Sequence, residues 1–205
     1  MVVGREKLAA DLGFHLKISI APVHISRQTA GHSVVLPPVV ALSYETLVAG
    51  KDWEKFGPTP EDLKKLKPMF TALWVLHGWI AERDHRGAGW NLKGERVAKG
   101  SVHVSSFDYV QSLNDQWRPP DPPAPHPDWN NPTGVYADPD LTVAAKVIGQ
   151  IRGFTAERLK AIVGALPPDC MPPKEGNALA CGLYERGKQL ESLLGLRSPH
   201  AKKSP

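Results

Sequence analysis

The side chains best suited to chemistry gather in residues 83–99. Arg83, His85, Arg86, Lys93, Arg96 and Lys99 share that stretch with Trp90, and Asp84 and Glu95 oppose them. Cations interleaved with an aromatic suit single-stranded nucleic acid, because phosphates meet the charges while a base stacks on the ring. The competing reading is a solvated charged loop with Trp90 tucked into the core. Neither an RNP sequence nor a zinc knuckle accompanies the cluster. Glycines 87, 89 and 94 predict a loop that is mobile or tightly turned.

A second cluster is His77, Glu82, Asp84 and His85, near one predicted helix end. Carboxylates beside imidazoles are the groups that acid–base chemistry or a metal needs. His77, however, lies on an apolar stripe, where a histidine is usually a satisfied core residue. Cys181 with a distant histidine is the other nucleophile candidate, though it sits between Leu179 and Leu183 on an apolar helix. The sequence has no Walker loop, G-x-S-x-G, H-E-x-x-H, H-x-E with C-x-x-C, or dinucleotide fingerprint. No metal or cofactor is expected, and the balance leans away from an enzyme.

The most specific local pattern is Ile151-Arg152-Gly153-Phe154-Thr155, followed by Leu159 and Ile162. It resembles a helix-hairpin-helix motif, in which an apolar-x-Gly-apolar-Gly turn joins two short helices. The resemblance covers about a dozen residues. It implies that the turn's backbone N–H groups and the start of the second helix hold a DNA phosphate, as helix starts favour anions. Thr155 stands where the family has its second glycine, and Arg152 where proline is usual. The plain alternative is a helix–helix connection, with Gly153 allowing the turn and Thr155 capping. A helix-turn-helix fits worse: Gln150, Thr155 and Arg158 fall where that motif wants apolar residues.

These groups need elements to position them. Phe14, Leu16, Ile18 and Ile20 alternate with polar residues and predict a strand that Pro22 ends. Val34-Val35-Leu36 and Val102-His103-Val104 predict two more. Val40, Tyr44, Leu47 and Val48 fit a helix face between Pro38 and Gly50. Thr59-Pro60-Glu61-Asp62 is a helix start: threonine caps, proline loses nothing, and acids meet the dipole. Pro68 is expected to break or kink that helix. Beyond it, Phe70, Leu73, Trp74, Leu76, His77 and Ile80 predict a central core helix. Ser105 or Ser106 is expected to cap another, through Phe107, Val110, Leu113 and Trp117.

A run from Arg118 through Pro127 cannot form helix or sheet and favours extended geometry. It places a boundary over 118–137. Its P-x-x-P spacing, as in Pro119–Pro122, suits an aromatic-lined groove, but equally a spacer or an arm on a neighbouring subunit. Asp138-Pro139-Asp140 then opens a helix with Leu141, Ala144, Ile148 and Ile151 on one face. Thr155 opens the next, through Leu159, Ile162, Val163 and Leu166. After two proline pairs a last helix carries Leu179, Leu183, Leu190, Leu193 and Leu194. The expected division is a mixed, mostly helical domain over 1–117, the linker, a three-helix module over 138–195 and a basic tail over 196–205. The fold class is mainly α, a bundle-like core with a small β element near the N-terminus.

The chain has 205 residues, 20 Pro, 18 Gly and a net charge of +4. That composition excludes a collagen repeat, a disulfide scaffold and a long coiled coil. Residues 186–205 carry five Lys or Arg against Glu191, so they hold the whole excess, and 1–185 sum to zero. Basic character therefore concentrates in Arg197, Lys202, Lys203 and the last helix. Cys170 and Cys181 match no zinc or redox spacing and read as thiols in a reducing compartment, cytoplasmic or nuclear. The N-terminus reads as lacking a signal peptide, and no apolar run is long enough to span a membrane. Together these features predict a non-enzymatic nucleic-acid-associated binding or assembly protein. Its contacts would be residues 83–99, the Gly153 turn and the basic end. A coat- or nucleoprotein-like subunit, self-associating through the proline arm and last helix, is the near alternative. A small enzyme or effector acting near His77–His85 or at Cys181 is the distant one.

Overall fold

A computed structural model describes residues 2–29, 39–45, 49–82, 91–97, 100–109, 112–113 and 132–196. The fold is mainly α with small β elements. In chain order the elements are α1 (Val2–His15), β1 (Val23–Thr29), β2 (Val39–Glu45), β3 (Lys51–Asp52), α2 (Trp53–Phe56), α3 (Pro60–Ile80), β4 (Leu92–Arg96), β5 (Val102–Ser106), a 3-10 turn (Gly134–Tyr136), α4 (Leu141–Arg152), α5 (Ala156–Gly164) and α6 (Pro173–Leu193).

The predicted strand over Phe14–Ile20 is instead the last two residues of α1, the turn that ends it and a short exit segment. Leu8, Leu12 and Leu16 recur every four residues and are buried, which is the helical period. The helix stops where Lys17 takes a left-handed φ of 58° and the Ile18 N–H bonds back to the Gly13 carbonyl, a Schellman ending. Only the exit is extended. Ile20 forms a single parallel bridge with Ser106, flanked by hydrogen bonds from Ser106 N–H to Ser19 and from Ala21 N–H to Ser106.

The predicted helix over Val40–Val48 is a strand where it is described. β2 pairs antiparallel with β1, from Val23 opposite Glu45 to Thr29 opposite Val39. Its Val-Val-Ala-Leu sequence satisfies either period, and the partner strand decides. The candidate strand over Val34–Leu36 lies outside the described residues. A second sheet has the order β3-β4-β5, all antiparallel. It includes the predicted strand at Val102–Val104. It also converts residues 92–96, expected as loop, into its central strand. Ser105 and Ser106 end β5 and cap no helix; Asp108 and Leu113 beyond them have φ of 59° and 54°, which no helix permits.

α3 is the centre of the molecule. It opens on a capping box: Thr59 Oγ1 accepts from Asp62 N–H, and Asp62 accepts from Thr59 N–H. It then continues unbroken past Pro68, which lies on the exposed side, where the Lys64 carbonyl that loses its donor can be hydrated. From Leu73 to Ile80 every residue is buried, as expected of a helix apolar all round. α4, α6 and the Gly134–Tyr136 turn all pack against it. Trp79 donates from Nε1 to the Leu183 carbonyl at 2.9 Å, and Arg186 Nε donates to the Gly78 carbonyl at 2.8 Å. The apolar core is one cluster from Leu8 to Leu194. Residues on both sides of the proline-rich run contribute to it.

Candidate functional site

Arg83, Arg86, Trp90, Lys99, Arg197, Lys202 and Lys203 lie outside the described residues, as do Asp84 and His85. Lys93 and Arg96 are three residues apart on β4, so they point to opposite faces. Lys93 is half-buried, its Nζ 5.7 Å from the centre of the Phe107 ring. Arg96 is engaged within the fold. Its Nη2 donates to Asp62 at 2.8 Å, and its guanidinium lies 5.3 Å from the Phe56 ring centre. The structure does not bring these two cations together.

The turn after α4 joins two helices, as the sequence predicts. Thr155 is the N-cap of α5, accepting from Arg158 N–H at 3.1 Å. Gly153 has an ordinary φ of −73°, so its freedom is not what makes the turn. Its N–H donates to the Gly149 and Gln150 carbonyls, and the Phe154 N–H donates to Ile151. Both turn N–H groups are therefore used internally. At the start of α5, the Glu157 carboxyl is held below its usual range, first by its own backbone N–H and then by Thr155. A side chain of this protein already occupies the anion position there. Arg152 pairs with Glu191 at 2.9 Å and also donates to the Lys188 carbonyl.

The same turn completes a corner that sequence reasoning missed. Phe154 is buried beneath it, tilted against Trp79 at 5.5 Å between ring centres. Arg158, one helical turn on, lays its guanidinium 4.7 Å from the Phe154 ring centre. His15, from the end of α1, meets Phe154 edge-on at 6.2 Å, and Phe14 meets His15 at 6.4 Å. Aromatic rings thus run from the core outward, ending at Phe14, which is 80% exposed. Phe14, His15, Lys17, Ile18 and Ser19 line an open depression of about 500 Å³. The spacing of Phe154 and Arg158 was readable in the sequence. The exposure of Phe14 was not, because it depends on where α1 stops.

His77 is buried between two tyrosines. Tyr109 donates to Ser106 Oγ at 2.7 Å, leaving its oxygen to accept from His77 Nε2 at 3.2 Å. His77 Nδ1 then accepts from Tyr136 at 3.4 Å. Both ring nitrogens are engaged by the protein, which is the arrangement of a histidine satisfied within the core. Glu82 is also buried and accepts from Ser112. Burial, and secondarily the Glu82 charge, holds the Tyr136 hydroxyl well above the usual tyrosine range. This network ties the end of α3 to the segments after β5 and before α4. Among the described residues no group of three His, Cys, Asp or Glu is placed to hold a metal. Cys170 is buried and Cys181 exposed, and neither is in a disulfide. Leu183, Leu190, Leu193 and Leu194 of the last helix are buried in the chain's own core. No described helix is long and apolar enough to cross a membrane. No protein-family model matches this sequence, and no curated protein matches it.

Proposed function

We propose that this chain is a non-enzymatic, nucleic-acid-associated binding or assembly protein. The reading rests on the end of α1, where exposed Lys17 lines the same open depression as outward-facing Phe14, and on exposed Arg158, which lies over the Phe154 ring. Cations meet phosphates there, and an exposed ring offers a stacking surface. The acids on the same elements are committed elsewhere. Asp11 pairs with Lys7 on α1, and Glu157 serves its own helix start. The basic chain end, with Arg197, Lys202 and Lys203, adds to the same charge sign. A reducing compartment, cytoplasm or nucleus, fits this function and the two thiols.

Fluorescence anisotropy with labelled single- and double-stranded DNA and RNA tests the reading. Binding is expected at about 50 mM salt, and log K falls linearly as log salt rises. Absence of binding to all four probes at that salt overturns it.

A further inference from the structure

We draw no further inference here: the strongest candidate, the side-chain cluster on the β4–β5 ladder where Ser105 Oγ lies 3.1 Å from His103 Nε2 with Lys93 and Glu95 opposite them in register, carries nothing, because nothing in the described residues shows what would occupy it.

Discussion

Asp62 serves three donors. It accepts from Thr59 N–H at 2.9 Å and from Arg96 Nη2 at 2.8 Å, with Arg96 Nη1 at 3.4 Å. It is nearly buried while Arg96 stays half in water. The Arg96 guanidinium, and then Thr59, hold its carboxyl far below the usual aspartate range. A carboxyl held low in the folded state adds stability above its unfolded pKa of about 3.9. That contribution drains as pH falls toward the folded value. Wild type is therefore expected to be more stable than Asp62→Asn near neutral pH, with the gap narrowing below about pH 4. Urea unfolding at a series of pH values reads it, and a gap of constant size down to about pH 2 contradicts the pairing. The same geometry explains why Arg96 looked like a ligand contact in the sequence. Its partner lies 34 positions away, and nothing local announces it.

At the scale of elements, what could be read was what local hydrogen bonds decide. Thr59-Pro60 and Thr155 each begin a helix as predicted, and the helix expected at Asp138-Pro139-Asp140 starts there too, though its cap is Asp140 rather than the Asp138 that parallels Thr59; each cap makes its bond within three residues. What could not be read was decided by distant partners. β2 is a strand because β1 lies beside it, and β4 is a strand because β5 does. The corner at Phe14 divides the same way. Thr155 was legible as a cap, whereas Phe14 looked like a buried strand residue until the Lys17 turn ended α1. Close approach of elements gives a sharp pair of predictions. A Cβ on Gly4 would fall 2.5 Å from the Cys170 carbonyl oxygen, whereas one on Gly149 meets nothing within 4 Å. Overpacking against backbone costs up to about 3 kcal/mol, more than the 0.5–1 kcal/mol or so that alanine adds in a helix. Gly4→Ala is expected to lose about 1–2 kcal/mol and Gly149→Ala to gain about 0.5–1 kcal/mol. Urea midpoints measure both, and a neutral Gly4→Ala contradicts the seating of α1 on Cys170.

At the scale of the whole molecule, the question is whether the proline-rich run separates two units that fold alone. Residues 138–195 read as a three-helix module in the sequence. Yet α4 and α6 cover α3, the most apolar helix of the preceding part. Trp79 is held by Leu183 and Phe154 from beyond the run. Removing α6 with its C-cap Leu194 would uncover Trp79 and forfeit the burial of Leu183, Leu190 and Leu194, all essentially inaccessible. Each such side chain contributes about 1.5–3 kcal/mol. Four of them equal the entire stability of a typical domain, about 5–15 kcal/mol. Neither part therefore has stability to spare without the other. Heating is expected to give one calorimetric transition whose van't Hoff and calorimetric enthalpies agree. Tryptophan fluorescence and far-ultraviolet circular dichroism should change together across it. Two resolved transitions would mean that residues 138–195 fold by themselves and that the packing on α3 contributes little. A single transition also bears on binding, because the Phe14 corner is built from α1 and from the turn before α5. It would then persist only while the whole chain is folded, so nucleic-acid affinity and the helical signal should vanish at the same temperature.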